Sequence, residues 1–168
     1  HDVSTPHRSE TNGVSERAVR RIREGTAALM FQSHFDAPWW SWATRCYCFH
    51  RCTVDSLIED GKSAYERRWG THFQGQLIPF GAEISYLPIS EKDKERTHSL
   101  GRSTLPGLFL GYGQLEGGSW KGTYYVVDWE QLDTATHFSQ VHPKEFKAAE
   151  VIVTKEQKDG AWRFPLYE

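Results

Sequence analysis

The chain is poor in cysteine, has no long apolar run and carries almost no net charge, and each shortage removes a class of protein. Its three cysteines, Cys46, Cys48 and Cys52, are crowded into one stretch. An odd, clustered set is not the evenly spaced framework of a secreted disulfide domain, so reduced thiols in an intracellular setting, nuclear or cytoplasmic, are expected. No apolar run approaches the ~20 residues that span a bilayer, and no h-region opens the chain, so no membrane contact and no secretion are expected. With 20 Lys+Arg against 22 Asp+Glu, the formal charge is −2 and the sequence pI near 6.5. No global basic field draws in nucleic acid, and any such contact must come from a local patch. P-loop and Gly-x-Ser-x-Gly patterns are missing, and Gly111-x-Gly113 has no helix after it, which leaves nucleotide binding weakly supported. The first residue is His1, not methionine, as in a processed product or an excerpt of a longer chain.

What is present is enough to fold. At 168 residues, 38% of them hydrophobic and 14% aromatic, the chain has room for one or two small domains with a filled core. The densest basic patch is Arg17, Arg20, Arg21 and Arg23. Asn12 is placed to cap a helix, Gly13 to form the turn before it, and no proline interrupts the chain from Val14 to Met30. At about 100° per residue, Glu16, Arg20 and Arg23 fall within roughly 40° of one another, and Ala18, Ile22 and Leu29 cluster on the other side. Such a face has two readings. Glu16 and Arg20 are spaced for an i,i+4 salt bridge worth about 0.2–0.5 kcal/mol; alternatively the arginines bind phosphate and Glu16 serves chemistry.

A second helix is expected from Asp36 as N-cap, with Pro38 in its first turn, to about Glu59, stopped by Gly61. Trp39, Trp40, Trp42, Cys46, Tyr47, Phe49, Val54, Leu57 and Ile58 make it apolar over much of its circumference, as in a helix packed on other elements. Cys46-x-Cys48-x-His50-x-Cys52 has zinc-ligand residue types. On a helix, though, Cys46 and His50 share one face while Cys48 and Cys52 share another. Buried or half-buried helix cysteines are therefore favoured over a zinc site.

Beyond Leu77 the pattern turns to short apolar runs bounded by Gly, Pro and Ser. Ile84–Leu87, Gly107–Tyr112, Thr123–Asp128, Glu150–Val153 and Trp162–Phe164 read as strands of a small antiparallel barrel or sheet. Gly117–Gly122 reads as a hairpin loop, and Glu91–Arg96 as a solvated charge run in a connection. Trp69, Tyr86, Tyr112, Trp120, Tyr124 and Tyr125 are candidates for base stacking, although such residues more often pack a sheet. His72, His98, His137 and His142 are scattered in loops without nucleophile spacing.

Ser4 to Arg17, a proline-containing loop leading into Asn12-Gly13-Val14-Ser15-Glu16, resembles the end of the catalytic core of retroviral and retrotransposon integrases. There a mobile loop precedes Asn/Gln-Gly-x-x-Glu, and a Trp-rich helix follows. Ser63-Ala64-Tyr65-Glu66, Trp69-Gly70 and Pro79-Phe80-Gly81 are similar to the Thr-Pro-Tyr-Glu, aromatic-glycine and Phe-Gly segments of the copia-like branch, with departures at Ser63 and Ala64. Pro106-Gly107-Leu108-Phe109-Leu110-Gly111-Tyr112 resembles the Gly-Ile-Phe-Leu-Gly-Tyr signature of the SH3-like domain after that core.

The resemblance implies an α+β chain: residues 1–75 as the helical end of an RNase H-like core, and residues 76–168 as a small antiparallel SH3-like barrel. It makes Glu16 the last carboxylate of an Asp, Asp, Glu triad that holds two Mg²⁺ or Mn²⁺ ions in the complete integrase. The two aspartates are expected upstream of His1, so no tight metal binding and no strand transfer are expected of residues 1–168 alone. Element ends and target DNA are the implied partners, with Arg20 and Arg23 on the DNA end, Arg17 and Arg21 beside them, and Asn12 and His7 at the loop. Self-association through either part is left open. The rival expectation is a non-catalytic transposon remnant or adopted module that binds DNA or protein through the same helix.

Overall fold

A computed structural model describes residues 12–55, 60–97, 100–153 and 160–167. It is an α+β fold in which helices pack on one antiparallel sheet, as the change of pattern near Leu77 implies. Among the described residues no helix is long and apolar enough to cross a membrane.

Helix α1 spans Gly13–Ser33, three residues beyond Met30, and stops at His34, whose φ of 54° is left-handed. Asn12 stands at the N-cap position, but its side chain makes no capping bond. The expected apolar stripe is covered at one end only. Leu29 and Met30 pack against the core and Ser33 is fully buried, whereas Ala18 is exposed and Val14 and Val19 are 75% and 56% exposed. The N-terminal half of the helix thus stands clear of the body. Two glycines seat its other half. A Cβ on Gly25 would lie 2.1 Å from ring atoms of Tyr47, and one on Gly81, at φ +77°, would lie 2.4 Å from Cβ of Ser33. Both close approaches need the hydrogen that only glycine offers.

After a short 3-10 turn at Ala37–Trp39, helix α2 runs Trp40–Val54, ending five residues before the expected Glu59. Trp39, Ala43, Cys46 and Phe49 recur at helical spacing and form its buried face. Helix α3, Ala64–Trp69, was not expected: the Ser63 hydroxyl accepts from the Glu66 N–H at 3.1 Å and Gly70 closes it in the left-handed conformation.

The strands are β1 (Glu83–Tyr86), β2 (Leu105–Gln114), β3 (Trp120–Asp128), β4 (Lys144–Lys147) and β5 (Val151–Ile152), in the order β4-β3-β2-β1-β5. All neighbours are antiparallel, and the five-stranded sheet curls into a half-barrel. Irregularities between Phe109 and Gly111 and between Tyr112 and Gln114 help it bend. A hairpin loop joins β2 to β3 as expected, but it is shorter at its far end than Gly117–Gly122: residues 120–122 already belong to β3, and the loop is closed by the Leu115 N–H to the Ser119 carbonyl at 2.9 Å. Residues 162–164 form no strand; instead the Arg163 carbonyl accepts from the Glu83 N–H at 2.9 Å.

Phe49 of α2 stacks on Tyr112 of β2, with centroids 4.3 Å apart and planes 19° apart. The core is continuous from Phe35, Trp39 and Tyr65 to Phe80, Phe109, Val126 and Val151. Residues on both sides of position 75 therefore fill the same interior.

The run Glu91–Arg96 is only partly solvated. It contains helix α4 (Glu91–Lys94), and Asp93 is 7% exposed. Its carboxylate accepts from Lys144 of β4 at 2.6 Å, while Arg96 donates to Asp128 at 3.0 Å. Asp128, 4% exposed, also accepts from the Tyr86 hydroxyl and caps α5 (Trp129–Thr134) through the Gln131 N–H at 2.9 Å. Burial and then the Asp128 carboxylate push the Tyr86 phenol well above its ordinary pKa. Burial opposes ionisation of Asp93, but Lys144, Ser90 and Arg96 outweigh it and hold the carboxyl below its usual value.

Candidate nucleic-acid interface

The free half of α1 carries the expected site residues. Glu16, Arg20 and Arg23 line one groove of about 1190 Å³, together with Val19, Ile22 and Glu24 of the same helix and Trp40 and Thr44 of α2. The helical period accounts for this, since positions 16, 20 and 23 fall on one side of the helix. Ile22 also lines the groove, although the helical period assigns it to the side away from Glu16, Arg20 and Arg23. The wall that α2 provides is fixed where the helices cross: the Thr26 and Thr44 hydroxyls are 3.0 Å apart, and Gly25 lies on the Tyr47 ring.

Arg17 and Arg21 are exposed and lie outside the groove lining, a quarter turn round the helix. Asn12 is exposed at the helix start, and His7 lies outside the described residues. Among the described residues, Glu16 and the four arginines form no ion pair, so the Glu16–Arg20 bridge allowed by the spacing is not made. Guanidinium groups without a carboxylate partner keep their planar fork of donors for phosphate oxygens.

Among the described residues, Glu16 is the one carboxylate to which the resemblance gives a place in the triad. Among the described residues no three His, Cys, Asp or Glu side chains come together as a metal site. One carboxylate does not hold a two-metal centre, so the residues present do not fit the Mg²⁺ or Mn²⁺ pair of an integrase.

Around Cys46 the expectation of buried or half-buried cysteines holds for two of the three and fails for Cys48. Cys46 is buried, with its Sγ 4.0 Å from Nδ1 and 3.9 Å from Nε2 of His50, whereas Cys48 is exposed and Cys52 half-buried on another face. Burial raises the pKa of all three thiols and lowers that of His50. The imidazole is instead part of a tie between helix and sheet. His50 Nε2 lies 2.9 Å from the Tyr112 hydroxyl, which accepts from the Ile78 N–H at 3.0 Å and donates to the Gln76 carbonyl at 3.1 Å. Sequence reasoning missed this tie, which joins residues 62 positions apart, but His50 four residues after a buried cysteine was its local signal.

The aromatic residues proposed for stacking divide in favour of packing. Tyr86, Tyr112 and Tyr124 are buried, Trp120 packs on Phe73 at 5.1 Å, and Tyr125 lies edge-on to Trp42 at 5.1 Å. Trp69 packs partly buried against the core. The indole left in the open is Trp40, 62% exposed.

No family model matches this chain, and no solved structure matches it. Assignment of function therefore rests on the motif and on the groove.

Proposed function

We propose that this chain is the C-terminal part of a copia-like retrotransposon integrase, and that its own contribution is to hold DNA along the arginine side of α1. In this reading α1 and α2 close an RNase H-like core, the curled sheet is the SH3-like domain, and the complete polyprotein inserts element cDNA into target DNA. The observation that supports it best is the groove itself. The glutamate of the Asn-Gly-x-x-Glu motif and the two arginines one and two turns after it line one exposed surface, with no ion pair among the described residues to occupy them.

Glu16 is the carboxylate that serves the metal ions in the full active site. With the other two ligands lacking among the described residues, no step through those ions is derived for this chain. Residues 1–168, incubated with a DNA-end substrate and Mg²⁺ or Mn²⁺, are expected to bind the DNA and leave it uncut. Turnover that disappears in Glu16→Gln would sink the expectation that residues 1–168 are inactive alone.

The isolation of Glu16 favours a second reading, a transposon remnant or adopted module that binds DNA or protein without catalysis. The coding sequence upstream of His1 separates the two. Two aspartates at integrase spacing behind a His/Cys zinc domain support the enzyme segment, and their loss supports the module.

A further inference from the structure

The α1–α2 groove differs from a plain phosphate cradle in one respect: it has an aromatic wall. Trp40 opens α2, is 62% exposed, and lines the same groove as Arg20 and Arg23. Among the described residues it makes no ring-ring or cation–π contact, although Trp39 and Trp42 on either side of it do. An indole left bare beside two arginines costs solubility and adds nothing to the core. Its chemistry suits a flat, sequence-indifferent π-face.

Resting on the DNA-binding reading above, we infer that the groove takes a single-stranded segment of nucleic acid. An unpaired base stacks on Trp40, and the adjoining phosphates lie on Arg20 and Arg23. A duplex keeps its bases stacked on one another and offers only its phosphate backbone to such a surface. A groove of about 1190 Å³ has room for a few nucleotides of one strand, whereas a duplex reaches Arg20 and Arg23 with its phosphates alone. The apolar side chains Val19, Ile22, Ala27 and Met30 line the same groove and suit the faces of unstacked bases.

Two acids constrain the register. Glu16 lies one turn before Arg20 in the lining, and Glu24 directly follows Arg23. Their carboxylates repel phosphate at both ends of the arginine stretch, so the bound backbone is confined to the interval between them. Neutralising Glu24 removes repulsion without removing a contact.

The test is fluorescence anisotropy of labelled oligo(dT) and of a duplex of equal length against the whole chain, over a range of salt. Wild-type protein binds the single strand more tightly. Trp40→Ala weakens single-strand binding by about tenfold and leaves duplex binding and the salt slope unchanged. Trp40→Phe retains most of the affinity, and Glu24→Gln strengthens it. Because Trp40 is exposed, neither Trp40 substitution removes a core side chain, and matching unfolding curves check this. Single-strand affinity unchanged in Trp40→Ala, with Arg20→Ala/Arg23→Ala still weakening both ligands, overturns the stacking inference and leaves the DNA-binding reading standing. If the double arginine variant weakens neither ligand, both fall.

Discussion

Asp128 is held by Tyr86, Arg96 and the Gln131 N–H, and its removal has a cost that can be worked from these contacts. In Asp128→Ala the α5 cap is lost, a bond from the Gln131 N–H at 2.9 Å, at about 1 kcal/mol. The Tyr86 hydroxyl, on a residue with no exposed surface, loses its acceptor, at about 1–3 kcal/mol. Arg96, 29% exposed, keeps Asp93 and Glu130, so its share is small after solvent screening. The sum is about 2–4 kcal/mol, a large part of the ~5–15 kcal/mol that stabilises an ordinary domain. Urea unfolding followed by circular dichroism at neutral pH reads it as a lower midpoint at constant m. Tyr86→Phe alone costs about 1 kcal/mol, and in that background Asp128→Ala no longer orphans a hydroxyl. The pair therefore couples by more than about 0.5 kcal/mol in a double-mutant cycle. A loss under about 1 kcal/mol for Asp128→Ala, or strict additivity with Tyr86→Phe, refutes the reasoning.

Two further outcomes follow from the packing. Burial lowers the His50 pKa below its ordinary 6.5, so below that pH the unfolded chain takes up a proton that the folded chain resists. Stability should fall as pH drops from 6.5 toward the folded value, and His50→Gln should flatten the dependence of the urea midpoint over that window. A separately produced segment 76–168 lacks Phe35, Trp39, Ala43, Cys46, Phe49 and Tyr65, all of them core residues, so it should show no cooperative thermal transition by calorimetry. A sharp transition from that segment would mean that the sheet holds a sufficient core of its own.

The legible parts of the fold were those governed by local period. Alternation and glycine punctuation located β1, β2, β3 and β5, and the unbroken stretch after Gly13 located α1. The missed pieces depend on chemistry or partners that period does not register. Ser63-x-x-Glu66 is a capping signal that begins α3, and helical period does not register it in so short a helix. Strand β4, Lys-Glu-Phe-Lys, buries Phe146 alone and gains its place from pairing with β3 and from Lys144 reaching Asp93. The charge run 91–96 reads as solvated because Glu91, Lys92, Lys94 and Glu95 are; what sequence does not show is that Asp93 and Arg96 meet Lys144 and Asp128 across the fold.

The shared side of the candidate residues was legible for the same reason as α1. Positions 16, 20 and 23 share a helix side, and the structure keeps them on one groove. Trp40 was hidden by its neighbours: in Trp39-Trp40-Ser41-Trp42 every indole reads as core, and only the path of α2 leaves the second one bare.

The most direct test of DNA holding by α1 is the salt dependence of duplex binding for the wild-type chain and for Arg20→Ala/Arg23→Ala. Loss of two phosphate contacts predicts a slope of log K against log salt that is shallower by about two units in the variant. An identical slope in the two proteins would contradict the account and leave those arginines as solvated surface charge.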